Sequence, residues 1–266
     1  MRTPLAALIA TVVAAVLLIV WGPWADDGPA TPADSSAPAT PALSGTITVL
    51  AAASLTETFT TLGAQFEAAH PGTTITLDFG PSSGLASQIT AGAPADVFAA
   101  ASDTSMRTIA ADAHAPTVFA ANVMEIAVPP DNPAKIRGLG DLARPDVKVA
   151  LCQSGVPCGA VAATVLVGAG LKVTPVTWEV DVKAALTKVE LGEVDAAIVY
   201  VTDVHAAGHR VSGIEIPAGV NAATDYPIAT LTAARNPALA QAFVDDVLSA
   251  HGKAVLGAAG FRAPRR

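Results

Sequence analysis

The sequence has little charge, few aromatic rings and almost no cysteine. Charged side chains are 14% of its 266 residues and aromatic ones 5%. Fifteen Lys and Arg stand against 23 Asp and Glu, a formal net charge of −8. No basic run occurs, so the chain carries no footprint for nucleic acid. It has no general attraction for anions either, so any anion site has to be built locally. With rings scarce, the core has to rest on Val, Ile, Leu and Ala. An enzymatic reading finds no Gly-rich phosphate loop of the G-x-x-x-x-G-K type and no H-E-x-x-H. The five histidines, His70, His114, His205, His209 and His251, are scattered. His205 and His209 are four apart and would share a face if the segment were helical, but two ligands make a poor metal site.

Long apolar runs are scarce too, and the main one opens the chain. Arg2 supplies a positive start, and Leu5 to Val20 is apolar apart from Thr11. That length is short for a membrane span and normal for the core of a signal peptide. Trp21 and Trp24 suit a membrane interface, so residues 1–24 read either as a signal peptide or as a membrane anchor. Both imply export, to a periplasmic or cell-surface location. No Cys follows the run for lipid attachment. Residues 25–44, rich in Pro, Ala, Ser and Thr, read as a disordered linker. The only cysteines, Cys152 and Cys158, bracket Gln-Ser-Gly-Val-Pro. Outside the cytoplasm such a pair most simply forms a disulfide around a small loop.

From Thr46 onward the pattern is strand, turn, helix, repeated. Ile47 to Leu50 is a short apolar strand. Ser54-Leu55-Thr56-Glu57 reads as a capping box, followed by Leu55, Phe59, Leu62 and Phe66 at helical spacing. Thr74 to Phe79 is a second strand, and Gly80-Pro81-Ser82-Ser83-Gly84 opens a second helix. Asp96 to Ala100 is a third strand, with Asp96 a cap or hinge residue. A further cycle brings strands at Met124–Val128, Val147–Leu151 and Ala196–Tyr200. Helices follow at Gly159–Gly168 and from Asp181, a natural N-cap. The end reads as a strand, Pro227–Leu231, and a helix from Pro237 carrying Leu239, Phe243 and Val247 inward. Strands alternating with helices predict an α/β fold. Two such sets predict two lobes, each a mainly parallel sheet flanked by helices, with a ligand cleft between them. The expected limits are 45–125 with 220–266 for lobe 1, and 126–219 for lobe 2.

In open α/β sheets ligands bind at the carboxyl ends of strands. The strand before Ser54 and the strand before Ser82 each deliver a serine to a helix start, where free amides and a partial positive charge suit an anion. Serine is also an ordinary N-cap with no further role. Pattern alone therefore leaves an anion-binding and a structural reading side by side.

Several blocks resemble one known family. Thr48-Val49-Leu50-Ala51-Ala52-Ala53-Ser54-Leu55 is similar to its opening V-x-A-A-A-S-L. Phe79 to Ile89 resembles its second block, and Gly92-Ala93-Pro94-Ala95-Asp96-Val97-Phe98 its G-A-P-A-D-V/L-F. Val156-Pro157-Cys158-Gly159, Asp181-Val182-Lys183-Ala184-Ala185-Leu186 and Ala197-Ile198-Val199-Tyr200 follow in order. The family is that of the periplasmic molybdate-binding proteins of ABC transporters, and the resemblance runs over Gly45 to Phe261. It implies a two-lobed type II periplasmic-binding-protein-like fold, no catalysis, no cofactor, and molybdenum held only as molybdate. It implies ligand groups at Ser54 and Ser82 (hydroxyl and N–H), Cys158 and Val182 (N–H) and Tyr200 (O–H). Ser83 is an additional candidate should the turn shift by one residue. The implied partners are the small oxyanion, an ABC permease and its cytoplasmic ATPase, with the receptor a monomer. Every implied group is a neutral donor. Such a set suits an unprotonated dianion, molybdate, tungstate or sulfate, whereas protonated phosphate calls for an acceptor. Cys158 stands where the family commonly has Ala, and a Cys152–Cys158 bridge would pre-position that amide. The rivals are a receptor for another oxyanion such as sulfate, an anchored molybdate sensor, and a periplasmic hydrolase using Ser54 or Cys158, for which no base is visible.

Overall fold

The computed structural model describes residues 43–265. The leader or anchor and almost all of the linker expected from the sequence lie outside the described residues. Among the described residues no helix is long and apolar enough to cross a membrane.

The first strand, β1 (Gly45–Ala52), buries both faces: Ile47, Val49 and Ala51 enter one core and Leu50 another. That double burial is why it reads as an apolar run, as in parallel sheets generally. It pairs in parallel with β2 (Thr73–Gly80) and β3 (Val97–Ala99). Helix α1 (Thr56–Ala69) covers one face through Phe59, Leu62 and Phe66. Helix α2 (Ser82–Thr90) covers the other through Leu85, Ala86 and Ile89, beside the short α3 (Asp103–Thr108).

Strand β4 (Ala113–Val128) then runs for 16 residues. The sequence pattern marks only its end, from Met124. Its first half carries Pro116, Ala115 at φ 48° and two register shifts, so it lacks the alternation of an ordinary strand. Its partner is β9 (Ala223–Leu231), far away in sequence, and that pairing makes it a strand. The far half of β4 belongs to a second sheet. There it pairs with β7 (Ala196–Tyr200) and β8 (Ser212–Glu215). Beyond β7 come β5 (Val149–Cys152) and β6 (Thr177–Glu179). Helices α4 (Pro157–Gly168), α5 (Val182–Glu190) and α6 (Val201–Ala207) flank this sheet. Helices α7 (Pro237–Leu248) and α8 (Ala250–Ala258) return to the first core.

The order is therefore β2-β1-β3-β9-β4 continuing into β4-β7-β5-β6, with β8 also on β4. The outer pairs β1–β2, β1–β3, β5–β6 and β5–β7 are parallel, as expected. The pairs nearest the junction, β3–β9, β4–β9, β4–β7 and β4–β8, are antiparallel. A mainly parallel sheet thus describes only the outer strands: β9 comes back antiparallel to β3 and β4, and β4 enters the second sheet antiparallel to β7 and β8.

One apolar core is drawn from the stretch between Met124 and Ile216. Another joins residues between Ile47 and Ala120 to residues between Tyr226 and Phe261. The chain crosses between them at Val123–Met124 and returns at Asn221–Ala223. Asn221 ties the two crossings: its Oδ1 accepts from Met124 N (3.1 Å) and its Nδ2 donates to Met124 O (2.8 Å). Asp96 is neither cap nor hinge. Buried, it accepts from Thr48 N (2.7 Å) and Arg235 N (2.6 Å), clamping β1 to the turn before α7.

Candidate functional site

Between the two cores lies a small cavity of about 20 Å³, lined by Ala52, Ala53, Ser54, Pro81, Ser82 and Ala101 from one side. Val156, Cys158, Asp181, Val182 and Tyr200 line it from the other. Three helices begin at this wall: α2 at Ser82, α4 at Pro157 and α5 at Val182. First-turn amides have no acceptor within their own helix, and each helix start carries a partial positive charge. The wall has no Lys or Arg. Whatever positive potential it offers is made of dipoles.

The structure brings Ser54, Ser82, Cys158, Val182 and Tyr200 together around this one space. Ser83 sits one residue further into α2, outside the lining, with its carbonyl accepting from Ser87 Oγ (3.0 Å). The expected capping box at Ser54 does not form. Ser54 lies inside a 3₁₀ turn (Ala53–Leu55), and α1 starts without a side-chain cap. Its Oγ meets Tyr226 Oη instead, at 2.8 Å. Asn122 Nδ2, which can only donate, reaches the same phenol oxygen at 3.5 Å. Tyr226 O–H then donates its hydrogen bond to Ser54 Oγ, and the Ser54 hydroxyl hydrogen is left for the cavity. Ser82 behaves alike: its Oγ accepts from Ala101 N (3.0 Å), which leaves its hydrogen to donate.

Tyr200 is 1% exposed, and its hydroxyl has no hydrogen-bond partner among the described residues. Burial pushes both phenols well above the ordinary tyrosine range, so each keeps its proton at any neutral pH. The rings of Tyr200 and Tyr226 meet edge to face, 6.2 Å apart. Sequence reasoning missed Tyr226 and Asn122, which aim Ser54. The signal was slight: the chain has only two tyrosines, and both are here. It also treated Asp181 only as a cap. Asp181 does cap α5, accepting from Ala184 N (2.8 Å), and it borders the cavity as well.

Cys152 and Cys158 form the expected disulfide. It closes the loop that enters α4, where Cys158 is 3% exposed. Gly159 follows, and a Cβ there would fall 1.9 Å from Gln153 O. Only glycine permits the loop backbone this close to the helix start.

Gly80-Pro81-Ser82-Ser83-Gly84 also has the G-x-S-x-G spelling of a nucleophile elbow. The structure gives it no such machinery. No His lines the cavity, the Asp181 carboxylate is engaged by α5, and Ser82 Oγ is an acceptor for Ala101 N. Ser54 faces a phenol that keeps its own proton, and Cys158 is bonded to Cys152. Neither has a base.

Asp203 is fully buried behind Tyr200, and its Oδ2 accepts from Tyr200 N (3.1 Å). Burial raises its carboxyl from 3.8 to about 6, a rise that Lys183 and the Tyr200 N–H partly offset. The folded state therefore holds this proton more tightly than the unfolded one. The stabilisation is complete below about pH 4, the ordinary carboxylate range, and is lost as pH rises through about 6. Melting curves from about pH 4 to 7.5 should show this one-proton step, worth roughly 3 kcal/mol at most, and D203N should lack it. Parallel pH profiles for the two proteins would remove Asp203 as the source.

The geometry defines a class: a two-lobed α/β fold of type II, with helix starts from both sides around one small cavity. A model of the family described as "Bacterial extracellular solute-binding protein" matches residues 47–262, and the chain belongs to that family. It is 40% identical over 234 residues to the "Molybdate-binding protein ModA" of Mycobacterium tuberculosis, covering 86% of this chain and 90% of that protein. Its fold is similar to that of the Azotobacter vinelandii periplasmic molybdate-binding protein, with a TM-score of 0.73 at 20% identity over 82% of this chain and 100% of that one. It is also similar to that of the sulfate-binding protein SubI from Mycobacterium tuberculosis, with a TM-score of 0.70 at 18% identity over 82% of this chain and 86% of that one.

Proposed function

We propose that this chain is an extracytoplasmic, non-catalytic receptor. In this reading it captures molybdate, and tungstate with it, and delivers the ion to an ABC-type permease driven by a cytoplasmic ATPase. Ser54 and Ser82 give hydroxyl and N–H groups, Cys158 and Val182 give N–H groups, and Tyr200 gives its phenol O–H. Ser83 takes no part. The lobes, joined where the chain crosses at Val123–Met124 and returns at Asn221–Ala223, close on the ion by bending at β4 and Asn221.

One observation carries the reading: the buried Tyr200 hydroxyl has no partner among the described residues, and it lines a wall of helix starts. Leaving a buried hydroxyl unpaired costs about 1–3 kcal/mol, so a polar guest that accepts from it restores what folding gave up. The guest has to be an acceptor on every side, because both serine hydroxyls are already turned to donate. Molybdate at neutral pH is such an ion. Protonated phosphate is not: it brings a proton that needs an acceptor, and the one carboxylate at the wall, Asp181, already accepts from Ala184 N through its Oδ1. Neutral donors also spare the protein a buried unpaired cation when no anion is bound. The 40% identical relative, itself described as molybdate-binding, supports molybdate over sulfate.

Calorimetric titration with molybdate, tungstate, sulfate and phosphate tests the reading. Tight binding of the first two alone is the expected result. Tight sulfate binding without a preference for molybdate would overturn it.

A further inference from the structure

Three charged side chains sit just behind the cavity wall, each tied by sequence to a wall residue. Glu57 lies three residues after Ser54, Lys183 directly follows Val182, and Asp203 lies three residues after Tyr200. Lys183 Nζ joins them. It donates to both carboxylate oxygens of Glu57, at 2.9 and 2.8 Å, and lies 3.3 Å from Asp203 Oδ1. Glu57 belongs to α1, which packs on the first core, while Lys183 and Asp203 belong to α5 and to α6, next to the second.

We propose that Lys183 is the positioning residue of the anion site: it latches the two lobes over the closed cavity through Glu57 and, through Asp203, fixes the turns that present Val182 and Tyr200. The proposal rests on reading the cavity as an anion site.

The two halves of the bridge differ in kind. Glu57 is 50% exposed, so its pair with Lys183 is screened and contributes only modestly. Asp203 is 0% exposed, and its Oδ1 has no hydrogen bond among the described residues. The Lys183 ammonium is the charge that compensates it. Removing one partner of such a pair costs far more than the pair contributes. Burial alone would weaken the Lys183 ammonium, but Asp203 and Glu57 outweigh it and hold the charge in place. The groups facing Asp203 are Lys183 from α5, Glu57 from α1, the Tyr200 phenol and the Tyr226 phenol from β9. His205, on α6 itself, shares a neighbouring groove with Glu57.

The position of the cation is telling. A lysine on the wall would bind sulfate, phosphate and carboxylates alike, and would be a buried charge in the absence of a guest. Placed one residue back and neutralised by two carboxylates, it gives no such indiscriminate attraction. It makes closure depend on the correct docking of α5 against α1, and that docking also sets where the Val182 N–H falls relative to Ser54. Without the lysine, Glu57 and Asp203 face a bound dianion uncompensated.

The test is a double-mutant cycle on the full chain: K183M, E57Q and the two together, with K183R as the conservative rescue. Each is read by molybdate titration, by the rate of molybdate release, and by melting without ligand at about pH 7.5 and about pH 5. K183M is expected to release molybdate about ten-fold faster or more, E57Q less than about five-fold, and the double variant no faster than K183M. K183R should stay within about three-fold of the parent, since the charge is kept. Without ligand, K183M should melt lower at the higher pH and much less so at the lower one, where Asp203 takes up a proton. Release from K183M within about two-fold of the parent, or single effects that multiply independently, overturns the latch. Failure of the parent to bind molybdate would sink the ligand assignment alone. The melts would then decide, and equal K183M losses at both pH values would overturn the role of Lys183.

Discussion

Y200F should bind molybdate about 10- to 150-fold more weakly than the parent, and without ligand it should melt no lower. A hydrogen bond to a charged acceptor contributes about 1.5–3 kcal/mol, and each 1.4 kcal/mol is ten-fold in affinity. The stability half of the prediction is the more discriminating. A buried tyrosine hydroxyl normally serves the fold, and its removal then leaves a stranded partner and lowers the melting temperature. The Tyr200 hydroxyl serves no residue among those described. Phenylalanine keeps the ring contact with Tyr226 and relieves an unpaired polar atom. Weaker binding in a protein as stable as the parent, or more so, marks a residue kept for its ligand. Unchanged affinity would remove Tyr200 from the site. Tyr226→Phe is the contrast: that hydroxyl has partners in Ser54 and Asn122, so its loss should lower both affinity and melting temperature.

G159A should destabilise the protein by about 3 kcal/mol, roughly 6–12 °C in Tm for a chain of this size, and weaken anion binding about ten-fold. The added methyl would fall 1.9 Å from Gln153 O, 2.6 Å from Gln153 C and 2.7 Å from Cys152 O, all backbone. A flexible side chain could swing aside, but this backbone is fastened by the Cys152–Cys158 bridge. The strain has to go into the start of α4, which carries the Cys158 N–H. Reduction of the bridge lets the loop retreat, so the variant should lose less stability, relative to its parent, when both are reduced. Gly155→Ala is the control in the same loop. Nothing lies within 4 Å of its Cβ, and it should melt within about 1 °C of the parent. A G159A protein that melts with the parent would show that the loop yields, and would end the argument for a pre-positioned amide.

Strands β1, β2, β3, β5 and β7 and helices α1, α2, α4, α5 and α7 were legible in the sequence, because their patterns are local, whereas the short edge strand β6 and helix α6 were not. Leu239, Phe243 and Val247 of α7 are all fully buried, as their spacing says. Asp181 caps α5 as its residue type says. The first half of β4, and β8, were not legible, since neither has a pattern of its own. Each is a strand by virtue of a partner distant in sequence. The candidate site divides the same way. The five positions came from the order of the matched blocks, and the structure gathers them around one space. What holds them was out of reach. The capping box written by Ser54 and Glu57 is locally sound, yet both side chains are drawn elsewhere, Ser54 to Tyr226 and Glu57 to Lys183. A capping rule sees three or four residues along the chain. It cannot weigh a phenol 172 residues away.

The place of β9 in the sheet has a consequence for how the molecule is assembled. β9 lies between β3 and β4, yet residues 129–222 separate it from β4 in the chain. As the polypeptide is synthesised, every buried residue of the core from Met124 to Ile216 is present before the central strand of the other core exists. One core closes through contacts within a single continuous stretch. The other must hold β1, β2 and β3 waiting for about the last sixth of the chain, and contacts so distant in sequence form slowly. The early strands, with Val97 and Phe98 among them, are the part of the nascent chain that most needs shielding until β9, α7 and α8 arrive.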